Sequence, residues 1–163
     1  MTPAFAPLIR PAVAADLPDI LAFIRELAAY ENLSHEVEVT GEKLHAALFP
    51  ADGRPAAECV LVCVAGAPAG FALFYPTYST FVGRPGLYLE DLYVRPAFRG
   101  QGLGTALLHH VATLANTRGC GRMEWAVLDW NQPAINVYER MGARRLTDWT
   151  TYRLAGEALA RFK

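Results

Sequence analysis

Residues 98–105 read Phe-Arg-Gly-Gln-Gly-Leu-Gly-Thr and place three glycines at alternate positions between a strand pattern and a helix pattern. Glycine destabilises a regular helix or strand by roughly 0.5–1 kcal/mol relative to alanine. Its use here indicates either unusual dihedral angles at the start of a helix or close approach of a ligand to the backbone. The spacing excludes a dinucleotide fingerprint, whose third glycine would fall on Thr105, and a P-loop, because no Gly-Lys-Ser/Thr follows.

A strand, a glycine-rich turn and a helix N-terminus form a pattern that suits a phosphate-like anion. Successive free N–H groups and the positive end of the helix dipole attract the anion, and glycines let it lie against the backbone. Arg99 stands at the start of the turn and adds a local positive charge. The turn therefore predicts an anion-binding site.

Two adjacent carboxylates, Glu90 and Asp91, interrupt an apolar strand pattern just before this turn. Leu87 and Leu89 fit one alternation, whereas the apolar residues after the acids fit the opposite one. A one-residue slip in a period of two predicts a β-bulge, which could bring both acids to one side of the strand. Carboxylates within an apolar strand are costly unless they are hydrogen-bonded or used in chemistry, the alternative being a strand end with solvated acids.

The hydrophobic periodicity predicts the elements that position these residues. Strands are expected at 8–13, 58–66, 69–81, 87–94, 122–129 and 143–154, with the second and third joined as an antiparallel hairpin. Helices are expected at 14–32 with Asp16 as cap, near 40–50 with Thr40 as cap, at 102–118 and at 130–142 with Pro133 in the first turn. Alternating helices and strands around one mixed sheet predict a single α/β domain over residues 1–163.

Composition bounds the class of protein. The chain has 163 residues, 53% of them apolar and 19% charged, which suits a globular chain. A net charge of −1 gives no general attraction to nucleic acid or to an anionic membrane. The N-terminal residues lack the pattern of a signal peptide, and no apolar stretch is long enough to span a bilayer.

The cysteines and histidines predict neither a disulfide nor a metal site. Cys59 and Cys63 would lie ~13 Å apart along one strand, beyond the ~7 Å limit for a disulfide. Together with Cys120 they make an odd total of three without metal-ligand spacing. Reduced thiols indicate a cytoplasmic protein.

Residues 87–112 resemble the acetyl-CoA-binding core of the GCN5-related N-acetyltransferase (GNAT) superfamily. Arg99-x-x-Gly102-x-Gly104 stands where that superfamily has its Q/R-x-x-G-x-G/A signature. Three further segments, 9–31, 74–94 and 127–143, resemble one branch, the spermidine/spermine (diamine) and thialysine N-acetyltransferases. The resemblance implies a single-domain α/β fold with helices flanking a mixed sheet and a bulge before the acetyl-CoA turn.

The resemblance also implies roles at the acetyl-CoA side of the site. The pantetheine arm would lie along Leu92, Tyr93 and Val94. The pyrophosphate would be cradled by Arg99, Gly100, Gln101, Gly102, Leu103 and Gly104. The thioester end would be lined by Asn131, Gln132, Pro133 and Ala134.

The amine side of the site is implied in the same way. Glu90 corresponds to the carboxylate proposed to take the amine's proton, and Tyr138 to the tyrosine taken as general acid to the departing thiolate. Substrate-side positions are Tyr30, Glu31, Glu90, Glu124, Trp125 and Ala126. An alkylammonium of pKa ~10.4 is a poor nucleophile at neutral pH, because deprotonating it costs about 4.6 kcal/mol. A neighbouring carboxylate can attract the cation and then accept its proton.

The sequence thus favours an acetyl-CoA-dependent N-acetyltransferase that modifies a small primary amine, either a di- or polyamine or a basic amino acid such as thialysine. A protein or peptide acetyltransferase and a non-catalytic acyl-CoA-binding module are the alternatives. Arg144 and Arg145 stand where the animal polyamine enzymes are more acidic, which would disfavour a long polyamine if both side chains point inward. The family resemblance further implies a homodimer, without a metal, a nucleic acid or a membrane as partner.

Overall fold

The structure is a computed structural model that describes residues 7–162. Its strands are β1 (Leu8–Pro11), β2 (Glu58–Val64), β3 (Ala67–Ser79), β4 (Arg84–Val94) and β5 (Arg122–Glu124). They form one sheet in chain order, antiparallel from β1 to β4 and parallel between β4 and β5. The predicted mixed sheet and the predicted β2–β3 hairpin are confirmed.

The helices are α1 (Leu17–Tyr30), α2 (Gly41–Leu48), α3 (Leu103–Thr117), α4 (Gln132–Arg140) and α5 (Gly156–Ala160). Thr40 caps α2 as predicted, since its hydroxyl accepts a hydrogen bond from the Lys43 N–H at 3.3 Å. Pro133 lies in the first turn of α4, also as predicted. No helix in residues 7–162 is long and apolar enough to cross a membrane.

Helices cover both faces of the sheet. On one face α1 and α2 pack over a core that includes Phe23, Phe71 and Tyr93, with the Phe23 and Phe71 rings stacked at a centroid distance of 5.5 Å. On the other face α3 packs over β2, β3 and β4 through its buried residues Leu107 and Val111. Burying each such side chain contributes about 1.5–3 kcal/mol to folding.

The prediction that the Asp16 side chain caps α1 is wrong. Asp16 does stand at the start of α1, but its carboxylate makes no capping bond to that helix. The carboxylate accepts instead from the Val13 N–H at 2.8 Å and from both terminal nitrogens of Arg10 at 2.7 and 2.8 Å. The Arg10 guanidinium holds the pKa of Asp16 below its usual range. This buried carboxylate therefore pairs with Arg10 on β1 and does not cap α1.

Two predicted strands differ from the structure. The strand predicted over 122–129 pairs only at Arg122–Glu124, because β4 bends at a bulge and β5 cannot follow it further. The strand predicted over 143–154 is irregular, and a short helix, α5, follows it. A strand needs a neighbouring strand for its backbone hydrogen bonds, and residues 129–162 contain none.

The chain divides into two compact units, one ending at Leu128 and the other beginning at Asp129. The first unit contains the sheet with α1, α2 and α3, and the second contains α4 and α5. A single domain over residues 1–163 remains a prediction.

Candidate active site

The phase slip at Glu90-Asp91 is a β-bulge, as the alternation predicted. Leu89 pairs with Phe74 and Asp91 pairs with Leu73, so two neighbouring residues of β3 face residues of β4 that are two positions apart. Glu90 is the extra residue between them. A bulge of this kind bends the strand and increases its local twist, which explains why β4 and β5 separate beyond Tyr88.

The bulge brings both acids to the sheet face that α1 covers. Asp91 lies two residues before Tyr93, a member of the α1-side core, and therefore points to the same face. Glu90 accepts a hydrogen bond at 3.2 Å from the hydroxyl of Tyr75. Tyr75 shares the α1 face with Leu73, two residues earlier on β3, which is also in that core.

Asp91 holds its proton unusually tightly for a carboxylic acid. Burial raises its pKa to about 7, with further contributions from the negative charges of Glu90 and Glu31. Burial also raises the pKa of Glu31, which directly follows the last residue of α1. Glu90 itself is exposed to solvent. The two adjacent acids therefore differ in environment, since Glu90 is exposed and Asp91 is partly buried.

Two tyrosines line the same face beside the acids. The rings of Tyr75 and Tyr88 stack with centroids 5.3 Å apart. Burial first, and then the charge and hydrogen bond of Glu90, raise the pKa of Tyr75 to about 12, so its hydroxyl donates at neutral pH. Burial and the charges of Glu90 and Glu124 raise the pKa of Tyr88 as well. Glu124 is the register partner of Tyr88 across the parallel β4–β5 ladder, which places it on this face too.

The outer edge of β4 is open next to the acids. The ladder between β4 and β5 covers Gly86–Tyr88 on β4, whereas β3 continues to pair with β4 as far as Val94. Leu92, Tyr93 and Val94 therefore form an edge at which an extended ligand could add as a strand. The predicted pantetheine-binding residues lie on this edge.

The glycine turn uses its three glycines for different purposes. Gly100 and Gly102 have φ of +75° and +78°, in the left-handed region that side chains disfavour, and a Cβ at either position would meet no protein atom within 4 Å. Gly104 lies within α3, where a Cβ would make ordinary contacts of 3.8 Å to Leu92 and 3.9 Å to Val94. Gly100 and Gly102 thus allow the positive φ of the turn and leave the space above it empty of protein atoms. At Gly104 no protein atom lies close enough to exclude a side chain the size of alanine.

The first turn of α3 is available to an anion. Its N-cap residue is Gly102, which has no side chain to accept hydrogen bonds from the first N–H groups of the helix. Leu103 is buried and fixes the helix to the sheet, while Gln101 is exposed. This geometry fits the pyrophosphate of acetyl-CoA.

Arg99 connects the turn to α1. Its Nε donates to the Val94 carbonyl at 2.9 Å. Its guanidinium carbon lies 4.9 Å from the ring centroid of Tyr30 and 5.4 Å from that of Tyr93. The side chain is therefore held over the end of β4. Tyr30, predicted on the substrate side, adjoins the acetyl-CoA turn through Arg99.

The second unit carries the residues predicted to line the thioester end and the predicted acid, Tyr138. Asn131 caps α4, since its Oδ1 accepts from the Ala134 N–H at 3.4 Å, and Gln132 donates to Asn136 at 2.7 Å. Tyr138 is half-buried in the last turns of α4. Arg145 donates to Asp129 at 2.6 Å, and both side chains are exposed.

Trp125 and Ala126 follow β5 directly, Trp125 half-buried and Ala126 exposed. The sequence predicted Glu90 as the base but did not predict that Tyr75 and Tyr88 lie beside it. Only the register of the β3–β4 ladder shows that they flank the bulge. Within residues 7–162 no group of His, Cys, Asp or Glu has the arrangement of a metal site.

A sheet in which β4 carries a bulge and an open edge, followed by a glycine turn that leads into α3, defines the class of acetyl-CoA-binding N-acetyltransferases. The chain belongs to the acetyltransferase (GNAT) family, which matches residues 23–143. It is an N-acetyltransferase that uses acetyl-CoA as co-substrate.

Known proteins extend this assignment to the branch. The chain is 42% identical to a thialysine N-epsilon-acetyltransferase of Mus musculus, covering 93% of this chain and 94% of the relative. It is 37% identical to human spermidine/spermine N(1)-acetyltransferase-like protein 1, covering 93% of this chain and 23% of that longer protein. Among solved structures, an integron cassette protein from the V. cholerae mobile metagenome shares the fold, with a TM-score of 0.77, 23% identity and coverage of 95% and 96%. The chain is thus a member of the diamine/thialysine branch.

Proposed function

We propose that the protein transfers the acetyl group of acetyl-CoA directly to the primary amine of a small cationic substrate, with Glu90 as the base and Tyr138 as the acid. The observation that carries the proposal is the bulge. It presents Glu90 and Asp91 on one face, next to the open β4 edge that leads to the glycine turn. The name of the mouse relative, at 42% identity, supports a basic amino acid among the substrates, and that of the human relative supports a polyamine.

Acetyl-CoA supplies the thioester carbonyl and the thiolate leaving group when it is bound. Leu92, Tyr93 and Val94 would hold its pantetheine arm by strand addition, and residues 99–104 its pyrophosphate. Asn131, Gln132, Pro133 and Ala134 would line the thioester end.

Glu90 is suited to accept the proton of the amine. The Tyr75 hydroxyl engages its Oε2 at 3.2 Å, which leaves the other oxygen to meet the substrate ammonium or a water molecule. Removing the proton of an alkylammonium at neutral pH costs about 4.6 kcal/mol, and a carboxylate that first attracts the cation and then takes the proton lowers that barrier.

In this scheme the neutral amine nitrogen forms a bond to the thioester carbonyl carbon while the carbon–sulfur bond breaks. The proton of the ammonium passes first to Glu90, directly or through a water molecule. The second proton, which the nitrogen loses once the N–C bond has formed, restores through solvent the proton that Tyr138 gives to the thiolate. The departing thiolate takes a proton from the Tyr138 hydroxyl, because a phenol is a suitable donor to a developing sulfur anion.

Asp91 is the second candidate base. Its pKa of about 7 lies close to physiological pH, where general-base catalysis is most effective. Its burial, in contrast to the exposure of Glu90, favours a role in attracting the cation. Glu31 and Glu124 add negative charge on the same face, which supports their assignment to substrate binding.

We further propose that the protein is a cytoplasmic homodimer of single-domain chains. It binds neither membranes nor nucleic acid. The segment after α4 supports a dimer, because Trp149 and Tyr152 are 75% and 92% exposed, and exposed apolar surface of this kind marks interaction sites. Free Cys59, Cys63 and Cys120 support a reducing compartment. The net charge of −1 supports the absence of nucleic acid.

The proposal is tested by measuring thiol release from acetyl-CoA with a panel of diamines, polyamines, basic amino acids and lysine-containing peptides. We expect small amines to be acetylated with a kcat/KM well above that for peptides. Acetylation of peptides alone would instead favour a protein acetyltransferase, and binding of acetyl-CoA without turnover of any amine would favour a non-catalytic module.

A further inference from the structure

An ion pair on β5 lies beside the acidic face. The Nε of Arg122 contacts Oε2 of Glu124 at 2.8 Å, and both side chains are partly exposed, at 43% and 31%. The two residues are separated by one position on a strand, so they share a face. Glu124 pairs with Tyr88 and Arg122 pairs with Gly86, and Glu124 contributes to the raised pKa of Tyr88. The pair therefore lies on the same face as Glu90.

The spacing between this pair and Glu90 can be worked out from the sheet. Glu124 lies one strand away from Tyr88, and Glu90 lies two residues further along β4. Neighbouring strands are about 4.8 Å apart and each residue advances about 3.3 Å, so the Cα atoms of Glu90 and Glu124 are separated by roughly 8 Å. The side-chain nitrogen of lysine or thialysine is five bonds from the α-carbon, and because an extended chain zigzags, bonds of roughly 1.5 Å give an end-to-end reach of about 6 Å. The Arg122 and Glu124 side chains span the rest of the separation between β5 and Glu90.

An adjacent guanidinium and carboxylate match the charges of an amino-acid α-group. The contact is made by the Nε of Arg122 and Oε2 of Glu124. The two terminal nitrogens of a guanidinium can donate to a further carboxylate, and a carboxylate can accept from more than one donor. A guanidinium binds carboxylates in a planar, often bidentate manner. The pair thus offers a cation to an α-carboxylate and an anion to an α-ammonium.

We propose that Arg122 and Glu124 bind the α-carboxylate and the α-ammonium of a free basic amino acid whose side-chain amine reacts at Glu90. This inference rests on the proposed function and narrows its substrate to the amino-acid class. The same pair favours lysine over a diamine of equal length, because the second ammonium of the diamine meets Glu124 but the Arg122 guanidinium is left without a carboxylate. The ammonium groups of a polyamine would be attracted by Glu31, Glu90 and Asp91. A polyamine that extends beyond these acids would be repelled by the Arg122 guanidinium.

Three substrates that differ by one charged group each test the proposal. Lysine carries both α-groups, cadaverine lacks the carboxylate, and 6-aminohexanoate lacks the α-ammonium. We expect the wild-type kcat/KM for lysine to exceed that for cadaverine by about tenfold or more, the usual contribution of a hydrogen-bonded charged contact. We expect a smaller advantage of lysine over 6-aminohexanoate.

Variants assign each preference to its residue. Arg122→Gln should lower kcat/KM for lysine by about tenfold and leave cadaverine unchanged or improved, while Glu124→Gln should reduce the advantage of lysine over 6-aminohexanoate. Arg118→Gln is the matched control, since it removes the same charge from an Arg–Glu pair with Glu58 on the same unit. It should keep the wild-type ratios. Equal KM values for acetyl-CoA in all variants show that the acetyl-CoA site is unaffected.

The outcomes separate the two claims. If the wild-type enzyme acetylates cadaverine as well as lysine, or if Arg122→Gln keeps the wild-type ratio, the recognition of the α-group is wrong while amine acetylation stands. If none of the three amines is acetylated, the proposed function fails together with the inference.

Discussion

Replacing Asp91 by asparagine tests the electrostatics of the bulge through stability alone, without any substrate. The variant keeps the size of the side chain and removes the group whose pKa burial and two neighbouring carboxylates raise from 3.8 to about 7. A raised pKa means that the folded chain binds this proton more tightly than the unfolded chain does. The stability contribution of Asp91 is therefore greatest below about pH 4 and is lost as the pH rises towards about 7.

The magnitude follows from the size of the shift. Charging Asp91 in the folded chain costs about 4 kcal/mol relative to the unfolded chain above about pH 8, and between 1 and 2 kcal/mol at about pH 5. The advantage of Asp91→Asn over wild type in free energy of unfolding should therefore grow by about 2–3 kcal/mol between these two pH values. Any cost of the amide itself is the same at both and cancels.

The assay is denaturant unfolding of wild type and Asp91→Asn at about pH 5 and about pH 8. Asp148→Asn, at an exposed position in the second unit, is the matched control and should show no such change. If the difference in free energy of unfolding between Asp91→Asn and wild type is the same at both pH values, Asp91 is solvated, and the description of a partly buried acid beside Glu90 is refuted.

Further variants address the turn and the reacting groups. Gly102→Val should raise the Kd for acetyl-CoA at least about tenfold, because valine resists a φ of +78°, whereas Gly104→Ala should change it little; equal effects would remove the argument from dihedral angles. Tyr75→Phe should lower kcat/KM for the amine about tenfold, since Glu90 loses its hydrogen-bond donor, while Tyr88→Phe should not; an unchanged kcat/KM in Tyr75→Phe would leave Tyr75 a packing residue. Tyr138→Phe should lower kcat about tenfold or more with the Kd for acetyl-CoA nearly unchanged, and an unchanged kcat would exclude it as the acid.

The bulge could be predicted from the sequence because a strand has a period of two residues. A reversal of the apolar phase at Glu90-Asp91 has few structural solutions, and the β3–β4 register shows the expected one. The glycine turn was equally informative, since residues with positive φ next to a helix start are glycines in most cases.

The errors have a common cause, since each depended on whether another element of the fold offers a partner. Asp16 has the right type and position for a cap, yet Arg10 on β1 takes its carboxylate. Residues 143–154 have the composition of a strand but no strand to pair with in their unit. A tertiary contact overrides the local preference of a residue whenever the contact stabilises the fold by more than that preference does.

The site was predicted by residue type but not by environment. The sequence predicted Glu90 as the base and Asp91 as its neighbour at the bulge, yet only the fold shows that Glu90 is exposed while Asp91 is partly buried, with its pKa raised to about 7. Tyr75 is fifteen residues from Glu90, and the hydrogen bond between them depends on the register of the hairpin. Arg122 was not predicted as a site residue, because an arginine near a strand end is usually a solvated charge.

The central claim is that the amine gives up its proton at Glu90, and the pH dependence of kcat/KM for one good amine substrate tests it most directly. Wild type should lose activity on the acid side as the carboxylates become protonated. Glu90→Gln should lower kcat/KM by about 10²-fold, and its remaining activity should climb steadily with pH, because neutral amine must then come from solution. If Glu90→Gln keeps the wild-type profile while Asp91→Asn abolishes activity, the base is Asp91, and if neither variant changes the profile, neither acid takes the proton.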